Sequence, residues 1–208
     1  MSRKKIRLKV CGMREAGNIA GLVKLNPDFL GFIFHEVSPR YCRDVPQVEI
    51  PETILKTGVF VDKPLEYIAL KKEAFGLDLI QLHGYEDPAF CRKVSEQIAP
   101  VMKAFRVDGS FAFEQTENYA PFCRYFLFDT AGPLAGGNGR PFRWELLEKY
   151  NGTTPFLLSG GIDGTMVEKL CALQHPAFYG VDINSRFETS PGVKNIQLIK
   201  QFQHELLS

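Results

Sequence analysis

Four side chains able to move protons, a thiol, an imidazole and two carboxylates, stand at the ends of short apolar runs. In the run from Ile6 to Cys11, Ile6, Leu8 and Val10 alternate with Arg7, Lys9 and Cys11. Alternate residues of an extended strand share a face, so Lys9 and Cys11 point together, opposite the apolar set. The same parity pairs Gln81 with His83, sets Asp182 opposite Val181 and Ile183, and turns Asp129 the same way as Leu127. Each residue also has a plainer reading. A free cysteine is commonly a small buried hydrophobe. Asp129 can cap the turn over residues 130–132, His83 can satisfy a backbone carbonyl, and Asp182 can bind the amides of its own loop. Their convergence at strand ends carries more weight than any one of them.

Two glycine-bearing segments suit an anion. Ser159-Gly160-Gly161 follows one apolar run and precedes Asp163, an N-cap candidate, while Asn184-Ser185-Arg186 follows the last such run. Glycine lets backbone amides approach a phosphate, and unsatisfied amides at a helix start favour negative charge. Gly-Gly also forms ordinary turns. Gly136-Gly137-Asn138-Gly139 lacks the Gly-Lys-Ser/Thr ending of a nucleotide-binding loop and is expected to be a flexible cover over the site.

The elements that would position these residues alternate. Strand-like runs at 6–11, 28–34, 55–61, 77–83, 101–107, 124–129, 155–159 and 178–183 are separated by segments with helical spacing at 16–25, 64–75, 87–98, 143–150, 163–173 and 194–206. The connections after the second and fifth strands are less regular. Asp87-Pro88 marks one helix start, with a capping carboxylate before a proline that needs no amide hydrogen there. Such alternation predicts parallel strands with right-handed crossovers. The expected fold is α/β, a single compact (β/α)8 barrel of the TIM type over residues 1–208, with short or degenerate helices after strands two and five. Typical barrels use about 250 residues, so short loops are required. A doubly wound open sheet is the alternative, but the loop Cys11-Gly12-Met13-Arg14 does not carry its dinucleotide fingerprint.

Composition narrows the partners. Twenty-five Lys and Arg against 24 Asp and Glu give a formal charge of +1, so no overall field draws the chain to nucleic acid or an anionic membrane. With 45% hydrophobic residues among 208, there is material for one sizeable core. No run reaches the roughly 20 apolar residues of a membrane span. The five cysteines, Cys11, Cys42, Cys91, Cys123 and Cys171, are widely spaced and include no Cys-x-x-Cys pair, which leads us to expect a reducing, cytoplasmic location. The four histidines form no short-range pair for a metal.

Taken in order, Lys9-Val10-Cys11-Gly12-Met13, Gly31-Phe32-Ile33-Phe34, Ser38-Pro39-Arg40, Gly58-Val59-Phe60-Val61, Gln81-Leu82-His83-Gly84, Leu157-Leu158-Ser159-Gly160-Gly161 and Val181-Asp182-Ile183-Asn184-Ser185 resemble the phosphoribosylanthranilate isomerases of tryptophan biosynthesis. The resemblance covers nearly the whole chain. It implies a cofactor-free and metal-free barrel, a monomer or homodimer, acting on a phosphorylated anthranilate-ribose. It further implies Cys11 as general base and Asp129 as general acid, with Arg40, His83 and Asp182 on the substrate and Gly160, Gly161, Asn184 and Ser185 on its phosphate. Two departures from the commoner family pattern bear on the loops: Asn184-Ser185-Arg186 stands where Ser-Ser-Gly is usual, and Asn138 where Thr or Ser is usual. A pentose-phosphate epimerase and a noncatalytic binding barrel are the competing readings.

Overall fold

The computed structural model describes residues 5–129 and 144–207. Eight parallel strands close into a barrel: β1 (Arg7–Cys11), β2 (Phe29–Ile33), β3 (Leu55–Phe60), β4 (Leu79–Leu82), β5 (Val101–Arg106), β6 (Tyr125–Asp129), β7 (Phe156–Ser159) and β8 (Phe178–Ile183). Closure is made by β1, which pairs in parallel with both β2 and β8 and sets Lys9 opposite Asp182. All eight strands fall within the expected runs, so the open-sheet alternative is set aside. The Gly136–Gly139 cover expected from sequence lies outside the described residues.

Parity divides the apolar residues into two bodies. Leu8, Val10, Leu30, Phe32, Ile80, Leu82, Phe126, Phe128, Val181 and Ile183 belong to the outer core between strands and helices. Phe29, Leu79, Met102, Tyr125, Leu127 and Leu157 form the inner one, with Phe29 and Tyr125 edge to face at 5.7 Å. This inner plug leaves the carboxyl ends of the strands for polar side chains.

The helices are α1 (Ala16–Val23), α2 (Leu65–Phe75), α3 (Pro88–Gln97), α4 (Val167–Ala172) and α5 (Ile196–Leu207). As expected, Asp87 caps α3, its Oδ1 accepting from the Phe90 amide at 2.7 Å. No helix follows β2, and only the 3-10 turns Phe113–Asn118 and Ala120–Phe122 follow β5. Two expected helices are corrected. The 143–150 segment contains the 3-10 helix Trp144–Lys149, where Tyr150 N bonds to Leu147 O at 3.0 Å, and an i,i+3 bond stacks those two buried side chains. The 163–173 segment opens as a 3-10 turn, Gly164–Met166, because the Asp163 carboxylate takes the Thr165 amide at 2.9 Å and tightens the first turn. Among the described residues no helix is long and apolar enough to cross a membrane.

One buried ion pair on the outside of the barrel holds the ends of β3 and β4. Lys103, turned outward from β5, donates to Gly84 O at 2.8 Å and to Glu86 Oε2 at 2.9 Å. Glu86 in turn accepts from the amides of Asp62 and Gly84, both at 2.9 Å. Removing one partner strands a buried charge, so Lys103→Met is expected to destabilise by about 3–5 kcal/mol. Urea unfolding measures this, and a cost below about 1 kcal/mol would show that the loops hold without the pair.

Candidate active site

The mouth of the barrel is built from β1 and β8 upward. Lys9 is fully buried, and its Nζ donates to Asp182 Oδ2 at 2.8 Å across the closing seam. Burial alone would lower the Lys9 ammonium, but Asp182 and Cys11 outweigh it and hold the lysine above its ordinary value. Asp182 Oδ1 is buried and has no hydrogen-bond partner. Cys11 lies one inward position further up β1 and is 4% exposed. Its thiol is pushed up first by burial, and Lys9 and Lys194 pull it back. Glycine at position 31 makes room for it: a Cβ there would stand 2.9 Å from Cys11 Sγ and 3.1 Å from Cys11 Cα.

Across the mouth, His83 continues the β3 ladder, its amide donating to Phe60 O at 2.8 Å. Its ring bridges two inward residues. Gln81 Nε2 lies 2.9 Å from Nδ1, and Nε2 lies 3.3 Å from Asp129 Oδ2. With the Gln81 amide donating, Nδ1 is the acceptor and Nε2–H donates to Asp129; this tautomer is inferred from the network. Asp129 sits at the end of β6, in register with Ser159. Asp182 feels both His83 and Asp129, while Cys11 feels Asp182, so one carboxylate links the two sides of the mouth electrostatically.

The two glycine-bearing loops lie at the same end. Gly160 and Gly161 have φ of 98° and 70°, values that an L side chain resists, which turns the chain sharply after β7. Ser185 begins the 3-10 turn Ser185–Phe187 after β8. Two details bear on the sequence expectation. Asp163 is the N-cap it was expected to be, and because its carboxylate takes the Thr165 amide, that start offers fewer amides to an anion. The Asn184 side chain is turned to Lys194, its Oδ1 accepting from Nζ at 2.7 Å, which leaves its backbone for the loop.

Arg40 comes from the helix-free connection after β2 and forms a fork on Glu188, with Nε to Oε1 at 2.9 Å and Nη2 to Oε2 at 2.6 Å. Lys194 donates to the same carboxylate at 2.6 Å. Arg40 Cδ and Asn184 Oδ1 would each lie 2.9 Å from a Cβ on Gly12, the residue after Cys11. Glu188 and Lys194 were not singled out from sequence. They sit on an antiparallel hairpin, β9 (Glu188–Ser190) and β10 (Val193–Lys194), where position 194 was expected to open the last helix. The available signal was Pro191-Gly192, a turn dipeptide between two short polar runs. Among the described residues no group of three or more His, Cys, Asp or Glu is arranged to hold a metal.

Comparison with known proteins agrees along almost the entire chain. The sequence model of the family described as N-(5'phosphoribosyl)anthranilate (PRA) isomerase matches residues 8–205. A relative from Phocaeicola vulgatus, named N-(5'-phosphoribosyl)anthranilate isomerase, is 41% identical, with 96% of this chain and 97% of that protein covered. The crystal structure of phosphoribosyl anthranilate isomerase from Thermotoga maritima matches with a TM-score of 0.83 and 32% identity, covering 97% of this chain and 98% of that one. A phosphoribosyl anthranilate isomerase in complex with reduced 1-(o-carboxyphenylamino)-1-deoxyribulose 5-phosphate matches with a TM-score of 0.79 and 30% identity, again over 97% and 98%.

The closeness of Gly31 to the thiol gives a direct test. A methyl at that position must push Cys11 Sγ aside, because Cys11 Cα blocks the other direction. Displacing a reacting group by about 1 Å can cost 10²-fold, so if the thiol takes part in the reaction Gly31→Ala is expected to lose roughly 10²-fold in isomerase turnover. Circular dichroism should show an intact barrel, and full turnover in the folded variant would remove any need for the thiol to sit where it does.

Proposed function

The chain belongs to the N-(5'-phosphoribosyl)anthranilate isomerase family, and on that premise we propose which residues of its barrel mouth do what. It is an isomerase of tryptophan biosynthesis that turns N-(5-phosphoribosyl)anthranilate into 1-(2-carboxyphenylamino)-1-deoxyribulose 5-phosphate by an Amadori rearrangement. The epimerase and noncatalytic readings therefore fall away.

In our reading Asp129 is the general acid. It protonates the ring oxygen of the furanose as the C1–O bond breaks and the anilino nitrogen lone pair forms C1=N. His83 holds one oxygen of that carboxyl group, at 3.3 Å from Nε2, and so fixes its direction. Cys11 is the general base. It removes the C2 proton, the released pair forms C1=C2, and the C1=N pair returns to nitrogen to give the enolamine. Proton uptake at C1 and loss of the O2 proton then give the C2 ketone. The observation that supports this reading is the arrangement of Cys11, Asp182 and the His83–Asp129 pair at the carboxyl ends of β1, β8, β4 and β6, with Asp182 held by Lys9 at 2.8 Å and His83 set 3.3 Å from Asp129.

Asp182 Oδ1, buried and unpartnered, is suited to accept a ribose hydroxyl, since a buried acceptor left unpaired costs about 1–3 kcal/mol. Arg40 faces the anthranilate carboxylate while Glu188 holds it. The phosphate is taken by backbone amides around Gly160, Gly161, Asn184 and Ser185. The same proposal takes residues 1–208 as one domain working as a monomer or homodimer, without a cofactor. It also places the enzyme in the cytoplasm, supported by the five unpaired cysteines.

The test is turnover of freshly made phosphoribosylanthranilate, followed by loss of anthranilate-type fluorescence, alongside affinity for a reduced product analogue. Positioned acid or base groups contribute roughly 10²–10⁴-fold. Cys11→Ser, Cys11→Ala and Asp129→Asn should each lose turnover on that scale while still binding the analogue and keeping native circular dichroism. Near-wild-type turnover in Cys11→Ala would overturn the base assignment, and the same result in Asp129→Asn the acid.

A further inference from the structure

Glu188, on the hairpin of β9 and β10, divides its two oxygens between two tasks. Oε1 accepts from Lys194 Nζ at 2.6 Å and from the Gly192 amide at 3.1 Å, which closes the turn. Oε2 accepts from Arg40 Nη2 at 2.6 Å, and Arg40 Nε lies between the two oxygens, 2.9 Å from Oε1 and 3.0 Å from Oε2. The Glu188 carboxyl is nearly buried, and burial pushes it up, but its bonds to Arg40 and Lys194 outweigh this and hold it below its ordinary value. The hairpin does not depend on Arg40. Lys194 N donates to Asn18 Oδ1 at 2.7 Å and Asn18 Nδ2 donates to Lys194 O at 2.8 Å, so α1 grips the backbone of β10 directly. The bonds at Oε1 serve the turn, and those at Oε2 serve Arg40 alone.

A planar guanidinium offers a carboxylate two edges, one made by Nε and Nη2 and the other by Nη1 and Nη2. Glu188 takes the first. Among the described residues no hydrogen bond occupies Arg40 Nη1, so the second edge stays open in the same plane. The stem of the arginine fixes where that edge lies: Arg40 Cδ would stand 2.9 Å from a Cβ on Gly12, the residue after Cys11. Asn184 Oδ1 meets the same point at 2.9 Å and accepts from Lys194 Nζ at 2.7 Å. A continuous chain of contacts thus runs from the loop after β8 through Lys194 and Glu188 to Arg40 and holds it against the start of the β1 loop. The Arg40 side chain is 19% exposed, so a ligand can still reach it.

We propose that Glu188 is the positioning residue that makes the reaction selective for an amine bearing a carboxylate: by occupying one edge of Arg40 it fixes the other as a receptor for the planar carboxylate on the aromatic ring. The proposal rests on the reading of Arg40 as the contact for the anthranilate end. It goes beyond that reading by giving the contact a direction. An arginine free to rotate attracts any anion, the substrate's own phosphate included. One held through Nε and Nη2 accepts a second carboxylate in a single plane, and the ordering cost is met before the ligand arrives. This accounts for a buried carboxylate standing against the cation that has to bind an anion, an arrangement that charge attraction alone would avoid.

The test compares two ligands on the full-length protein by titration calorimetry: reduced 1-(o-carboxyphenylamino)-1-deoxyribulose 5-phosphate, and the same reduced compound made from aniline, which lacks the carboxylate. In Glu188→Gln the amide oxygen keeps Lys194 and the Gly192 amide, so the new NH2 group faces Arg40 Nη2, donor against donor. The fork is lost while the turn stays closed. Hydrogen bonds to charged groups are strong enough that the preference for the carboxylated ligand should fall roughly 10–100-fold. KM for phosphoribosylanthranilate should rise with it, and kcat should change far less. This variant also gains one positive charge, so a Glu188 that only tempered Arg40 gives the opposite sign, a stronger preference. Glu188→Asp keeps the charge but draws the fork back by one methylene, and it too should lose preference. An unchanged or stronger preference in folded Glu188→Gln overturns the proposal; if that variant does not fold, an unchanged preference in Glu188→Asp overturns it. Arg40→Met separates the two readings. If it keeps the wild-type preference, Arg40 is not the contact and the underlying reading fails; if it loses the preference while Glu188→Gln keeps it, only the role of Glu188 fails.

Discussion

The ion pair between Lys9 and Asp182 sits inside the barrel where its first and last strands meet. Bringing two charges out of water costs several kcal/mol for each, and their attraction offsets this only at close range with the remaining groups satisfied. Here the distance is short, but one Asp182 oxygen is left unpartnered. An apolar pair of the same volume would fill the space with less desolvation. The pair is better understood as a fixed electrostatic floor to the mouth. It stands directly beneath Cys11, aims Asp182, and ties that aim to the closing register, so a slip of β8 against β1 would cost both fold and site.

From that floor upward the mouth is organised by strand parity, and parity is what made it legible in the sequence. Lys9 with Cys11, Gln81 with His83, and Asp129 with Leu127 each share a side in an alternating run, and the barrel turns those sides inward. The eight strands could be read because their outward positions are apolar and their ends carry turn residues. Contacts that depend on three dimensions could not. That Gln81 orients His83, and that Lys9 and Asp182 meet 173 positions apart, required the closed barrel.

Two of the parts that sequence misjudged share a cause. Where a polar side chain satisfies a nearby amide, local hydrogen bonding overrides helical periodicity. Asp163 does this to Thr165 and turns the start of an expected helix into a 3-10 turn. Asn195 accepts from Leu198 N at 3.1 Å, which moves the start of the last helix to Ile196 and frees Lys194 for the hairpin. Sequence spacing of apolar residues is blind to both choices. The hairpin therefore hid Glu188 and Lys194, although both bear on the site.

Three buried side-chain atoms of the described residues lack a hydrogen-bond partner: Thr57 Oγ1, Gln81 Oε1 and Asp182 Oδ1. All three belong to strand residues whose parity faces the barrel interior, on β3, β4 and β8. A core selected for stability alone would have replaced them with apolar groups, because each orphan costs about 1–3 kcal/mol. Their confinement to the inside of the barrel is informative, since among the described residues the outer core carries no such atom. Where the polar network on the outside is needed, as at Lys103 and Glu86, several acceptors and donors are matched to it. The under-satisfied polar atoms thus lie inside the barrel, two of them on β4 and β8, the strands that lead to His83 and carry Asp182. Stability is concentrated in the outer shell, and the incompleteness lies inside the barrel, where local rules of satisfaction are broken.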